Sequence, residues 1–350
     1  MCQIAGMQPK IARILAAFAL AVTVPAGASA QRNAVESWDS STRDVGRDVG
    51  REVGREVGRL PVEPALPPDG RAASLEALNK ILSSGKLSAF DRSVYLSIRA
   101  YQLSREGRQA DSDKDIAEMG KVLPSAWQLV LSGTLPELAG GGDRAAALRT
   151  LDSALSQKPG DAWLTIAQAQ VYMQLADFPR ALGLLDRAEA GATNPVNRRT
   201  AQFYRGLVHF NLGRYAEAAA EFDSTLEGRT TLRSRLAPLL WRTAALMRAR
   251  QDARGPLARD LGAETLGEWP APIAAFLLGR TTAGALEVAA ETDEAAKRAN
   301  GKCASAFFIA MDALRRGDRT RAREQLQLTE ARCPTISEFN WAATSELKRL

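Results

Sequence analysis

Past its first thirty residues, this 350-residue chain has three side chains with obvious chemical potential: Cys303, Cys333 and His209, the only histidine. A nucleophilic triad needs a general base beside the nucleophile, and a structural zinc site needs three or four Cys or His ligands. One histidine, distant in sequence from both cysteines, supplies neither arrangement. Carboxylates are abundant, but they sit beside arginines along polar helix faces, as in Asp143-Arg144 and Asp318-Arg319, which is the pattern of solvated pairs. The glycine run 140–142 has no Lys-Ser or Lys-Thr after it, so it makes no phosphate cradle. The expectation is a chain with no catalytic residue, no metal and no cofactor, whose function comes from a surface.

That surface must be built by helices. Between Asp161 and Arg229 two helix-turn-helix units follow one another with small and large residues in matching places. Tyr172, Phe178, Ala181, Leu185 and Ala188 mark the first, and Gly206, Gly213, Tyr215, Ala218 and Phe222 mark the second. Ala181 and Ala218 are small because the paired helices are expected to cross most closely there. One such pair cannot bury its own apolar face, so units must stack. The predicted fold is all-α, an α-solenoid of stacked helix-turn-helix repeats with a concave surface.

These residues resemble the tetratricopeptide repeat family, whose unit of roughly 34 residues carries Trp, Leu, Gly, Tyr, Ala, Phe, Ala and Pro at set places. The frame extends upstream through Ala147, Leu151, Ala154 and Pro159, and more loosely through Gly107, Ser112, Ile116, Met119 and Pro124. Near the C-terminus Gly317, Ala322, Leu326 and Pro334 fit again, so three to five units are expected from about Arg71 onward. After Thr230 the frame blurs. There the chain resembles the C-terminal region of secreted bacterial tetratricopeptide proteins, the NlpI-type envelope group included, through Trp269-Pro270, Phe307, Gly317-Asp318, Cys333-Pro334 and Glu338. Lipoprotein members of that group keep a cysteine after the signal segment; this chain has Ala and Ser there, so a lipid anchor is not implied.

The chain opens without acidic residues, carries Lys10 and Arg13, runs apolar from Ile14 to Val24 and reaches Ala28-Ser29-Ala30. This predicts a cleaved signal peptide over 1–30, with Met7 as good a start as Met1. A membrane anchor would need about twenty uninterrupted apolar residues, and Pro25 and Gly27 end the run early. The protein is therefore expected to be secreted or periplasmic, with no transmembrane anchor after cleavage. Residues 31–70 form a second region, a linker centred on the tetrapeptides from Arg43-Asp44-Val45-Gly46 to Arg55-Glu56-Val57-Gly58. As a helix its four glycines would cost about 4 kcal/mol against alanine, while ion pairs return only about 0.2–0.5 kcal/mol each. A flexible spacer is favoured, with a helix ordered by a partner as the alternative. Residues 71–350 form the repeat domain.

Export gives the cysteines their chemistry. In the repeat frame Cys303 and Cys333 fall where the two helices of one hairpin meet at the same end, so a disulfide is expected, with reduced, buried thiols as the alternative. The formal charge of +6 falls to about +4 once Lys10 and Arg13 are removed. Both signs alternate along the helices, so no nucleic-acid surface is expected. In the repeat family the first helix of each unit lines the groove, which nominates Trp163, Ile166, Gln170 and Met173, then Phe203, Leu207, Phe210 and Asn211. Packing against neighbouring or terminal helices is the competing role for these side chains. The positions at which some relatives grip a C-terminal carboxylate hold Thr200, Ile166 and Tyr204, so that activity is not carried over, and His209 stands at a packing place. The expected protein is a non-enzymatic adaptor that holds a protein or peptide partner. Self-assembly into a homo-oligomer, or service as an accessory subunit of an envelope enzyme, are the alternatives.

Overall fold

The computed structural model describes residues 74–350 except Lys86, Thr265, Glu268, Asp293 and Glu294. The expected signal segment 1–30 and the linker 31–70 lie outside the described residues. Sixteen helices and no strand are present among the described residues, so the expected all-α class stands. The chain divides into two compact units, one holding the described residues up to Tyr172 with Gly183–Arg198, the other Met173–Leu182 with Arg199–Leu350.

The first unit is built on α1 (Leu75–Ser83), α2 (Ala89–Arg105), α3 (Gln109–Val122), α4 (Trp127–Gly140), α5 (Arg144–Gln157) and most of α6 (Ala162–Gln174). Ser74, Ser88 and Asp143 start α1, α2 and α5 by accepting a hydrogen bond from the backbone N–H three residues on. α2 is the central element and packs against α1, α3, α4 and α5. Its Leu96, Ile98 and Tyr101 meet Met119, Leu131, Leu135, Ala147 and Leu151 in one core. The hydroxyl of Tyr101 accepts from the backbone N–H of Asp143 at 2.7 Å and so ties α2 to the start of α5. Pro136 lies inside α4. An interior proline costs about 3 kcal/mol or more. Leu131, Leu135, Leu138 and Ala139 are all buried on the surrounding turns, and their packing keeps the helix continuous to Gly140.

The division between the units falls within α6, α7 (Phe178–Ala190) and α8 (Pro195–Asn211). From Arg199 onward the second unit takes in the rest of α8, α9 (Tyr215–Ser224), α10 (Leu232–Arg248), α11 (Arg254–Leu261), α12 (Ala271–Leu277), α13 (Ala283–Ala289), α14 (Ala295–Arg316), α15 (Arg319–Arg332) and α16 (Glu338–Leu347). Helical hairpins thus continue past Thr230, where the sequence frame becomes indistinct. Ala181 and Ala218 are both fully buried. At Gly206 on α8 a Cβ would lie 2.7 Å from the Phe222 ring of α9, so the position has no room for a side chain. The α14–α15 hairpin is closed by the Cys303–Cys333 disulfide, with Cα atoms 5.1 Å apart.

A repeated turn joins these hairpins. Gly213 and Gly317 take φ of 78° and 81° between their helices, a left-handed conformation that costs glycine nothing sterically. In the α6–α7 turn the same place is held by Ala176, at φ 55°. A Cβ in that conformation costs roughly 1–2 kcal/mol, partly offset by the greater chain entropy that glycine loses on folding. Ala176→Gly should therefore raise unfolding stability by about 1 kcal/mol in urea titrations, and a loss of stability would rule out this account. Replacing both Cys303 and Cys333 by Ala should lower it by about 3 kcal/mol through the freed loop, measured in the same way; an unchanged midpoint would refute that role for the bond.

Candidate functional site

The eight side chains nominated as a partner-binding groove fall on α6 and α8, and the structure treats them differently. On α6, Trp163 and Gln170 are half-buried while Ile166 and Met173 are buried. Trp163 and Gln170 are seven positions apart on one helix face. On α8, Phe203, Leu207, Phe210 and Asn211 are all buried. Phe210 is fully enclosed in the second unit, edge-on to Trp241 at 5.5 Å and to Tyr215 at 5.3 Å. Phe203 meets Phe222 at 5.5 Å. These four are covered by the protein itself, which is the packing role weighed against the groove. Thr200 is buried and Tyr204 half-buried.

What covers the end of α8 is the C-terminal helix. The hydroxyl of Ser345 donates to the Asn211 side-chain oxygen at 2.8 Å, and the Asn211 amide donates to the Leu207 carbonyl at 2.8 Å. One residue on, Glu346 is completely buried, and its carboxylate is met from three directions. Tyr215 donates to Oε1 at 2.5 Å, Arg248 Nε donates to Oε2 at 2.8 Å, and Arg349 approaches Oε1 at 3.2 Å. Arg248 also donates to the Tyr215 hydroxyl at 3.1 Å and lies over its ring at 4.8 Å. At the other end of α16, Phe339 stacks on Trp241, with centroids 5.3 Å apart and planes 11° from parallel. The pairing of Tyr215 and Arg248 with Glu346 had no signal in the sequence, where Glu346 looks like one more surface charge in Ser345-Glu346-Leu347-Lys348-Arg349.

The remaining reactive groups stay apart. The two cysteines are bonded to each other. His209 is half-buried on α8, with Nδ1 enclosed and without a hydrogen-bond partner among the described residues. Burial pushes its pKa below the ordinary histidine value, against the pull of Glu221 and Glu217. Among the described residues no group of His, Cys, Asp or Glu is placed to hold a metal, and no helix is long and apolar enough to cross a membrane.

Burial, then the neighbouring Glu346 carboxylate, raise the Tyr215 phenol to about 12. A phenol with a raised folded pKa favours folding while protonated. Its contribution is complete below its ordinary value of 10 and is lost as pH climbs from there towards about 12. Unfolding stability should therefore decline over that window, and Tyr215→Phe should show a shallower decline in denaturant titrations at stepped pH. Parallel declines in parent and variant would exclude Tyr215 as a source.

The tetratricopeptide repeat family model matches residues 138–198, from the end of α4 to the start of α8. The match takes in the frames of Ala147 and Ala181 and stops before that of Ala218. No curated protein matches the chain. A structure of Pseudomonas aeruginosa pilF is similar at 15% identity, covering 74% of this chain and 97% of its own, with a TM-score of 0.38. A tetratricopeptide repeat protein from Parabacteroides merdae is similar at 16% identity over 73% of this chain and 99% of its own, with a TM-score of 0.36. Residues 138–198 thus match the tetratricopeptide repeat family, and helical hairpins continue on both sides of that segment among the described residues.

Proposed function

We propose that this protein is an exported, non-enzymatic adaptor of the bacterial cell envelope that holds a protein or peptide partner against its repeat helices. The observation that carries the reading is the Trp163 and Gln170 face of α6. It lies inside the segment that matches the repeat family and keeps part of a large aromatic side chain at the surface. A tryptophan and an amide two helical turns apart supply apolar contact and hydrogen bonding to an extended or helical segment. The Cys303–Cys333 bond supports an oxidising compartment. The opening of the sequence, without acidic residues and with Lys10 and Arg13 ahead of an apolar run, supports export to it. Charges of both signs along the helices favour a protein partner over nucleic acid.

The test is affinity capture of the tagged mature chain from its own cell envelope beside a Trp163→Ala, Gln170→Ala double variant. A partner enriched by the parent and recovered at least tenfold less with the variant, at unchanged helicity, is the expected result. Recovery of the same proteins by both, or of the chain alone, would overturn the α6 surface as the binding face.

A further inference from the structure

The C-terminal helix α16 packs mainly on α15 and turns one stripe towards α9, α10 and α14. Phe339, Ala342, Ala343 and Glu346 stand at i, i+3, i+4 and i+7, and the last three are buried. This is the spacing with which a separate amphipathic helix enters a receptor face. The facing residues are Asn211 at the end of α8, Tyr215 on α9, Trp241 and Arg248 on α10, and Phe307 and Phe308 on α14, whose rings also meet Phe339. On that stripe only alanines stand between the aromatic anchor and the carboxylate anchor, and they bury little apolar area per residue, with Ser345 beside them donating to Asn211. α16 is ten residues long, too short to hold itself helical. It is also fastened by Thr344 to Glu330 at 2.5 Å, Asn340 to the Glu330 and Cys333 carbonyls at 3.2 and 3.4 Å and Trp341 to the Thr335 carbonyl at 2.8 Å, with Arg349 beyond its end donating to the Asn211 carbonyl.

We propose that α16 is a built-in ligand on a recognition face, and that the face accepts in its place a helix of another protein carrying an aromatic residue, two small residues and a carboxylate in the same register. The chemistry of the face selects that occupant. When α16 lifts, Arg248 loses its carboxylate and Tyr215 its acceptor, so a purely apolar helix would cover a half-buried cation and hydroxyl without pairing them. The replacement must bring a carboxylate, with an aromatic ring two turns earlier to cover Trp241, which is 2% exposed while Phe339 lies on it. Because α16 is tethered by only a few residues after Cys333, it competes at high effective concentration, and a partner binds only as the helix opens. The inference rests on the protein-binding reading but concerns a different surface, since every residue involved lies in the second unit.

The experiment uses the full mature chain and a fluorescent peptide of residues 337–350, followed by polarisation. The peptide should bind a Phe339→Ala, Glu346→Gln variant at least tenfold more tightly than the parent, and its own Glu346→Gln form should lose at least tenfold. A neutral alanine-rich helix bearing only Phe, Ala, Ala and Glu at the four stripe positions should displace it, and a scrambled helix should not. Equal binding to parent and variant, no displacement by the patterned helix, or dimerisation of the chain through exchanged α16 would overturn the proposal. Hydrogen exchange on the parent decides the case in which the variant does not fold. Amides of α16 should exchange at least tenfold faster than those of α14, and exchange of both only in one global event would make α16 an inseparable part of the fold. None of these measurements needs an envelope partner, so failure to capture one would leave this result standing.

Discussion

A helical hairpin with one apolar stripe cannot remove that stripe from water alone, and each packing arrangement in this protein answers that constraint. In the first unit the answer is α2, which is buried along most of its length because it has α1, α3, α4 and α5 around it. In the second unit Trp241 on α10 is the common neighbour of Phe210, Phe222, Phe307, Phe308 and Phe339, so α8, α9, α14 and α16 all cover one indole. Aromatic rings supply large buried area with few rotatable bonds, which suits a centre on which several helices converge. Where a neighbouring ring leaves no room, the side chain is removed altogether, as at Gly206 under the ring of Phe222.

Charges enter these interiors only in company. Arg242, nearly enclosed, lies between Asp223 and Asp260, and in the first unit Arg99 holds Asp115 through two hydrogen bonds of 2.8 and 2.6 Å. Glu346 is the extreme case, fully buried with a tyrosine and two arginines around it. Such groups add little net stability when paired and cost several kcal/mol when one partner is lost, so their effect is to fix register. For α16 that means a helix placed by its carboxylate, its aromatic ring and small residues between them. The same contacts that position it define what another helix would have to offer.

Much of the hairpin architecture was legible because turns and crossings demand particular residue types. Gly213 and Gly317 announced two hairpins through the left-handed turn, and Ala181 and Ala218 announced buried faces. The cysteine pairing followed from the same frame, since the ends of one hairpin bring residues 303 and 333 together. Pro136 inside α4 is less legible, because its missing N–H is a local cost whereas the burial of the leucines on either side is decided by helices elsewhere in the chain. The groove nominations suffered in the same way. An apolar residue on a first helix has the same appearance whether it faces a partner or a neighbour, and Phe203, Leu207 and Phe210 face neighbours.

The sequence by itself determined an all-α chain of helical hairpins, their turns and the residues that close the cysteine loop. Those properties depend on local spacing and on backbone conformations that few residue types adopt. Only the tertiary structure decided that Glu346 is an interior carboxylate and not a surface one. It also decided that Asn211, Tyr215 and Arg248 receive α16, and that Trp163 and Gln170 are only half-buried. The physical reason is distance along the chain. Tyr215 and Glu346 are 131 residues apart, and no periodicity in either helix specifies which of many similar faces it will meet once the hairpins have packed.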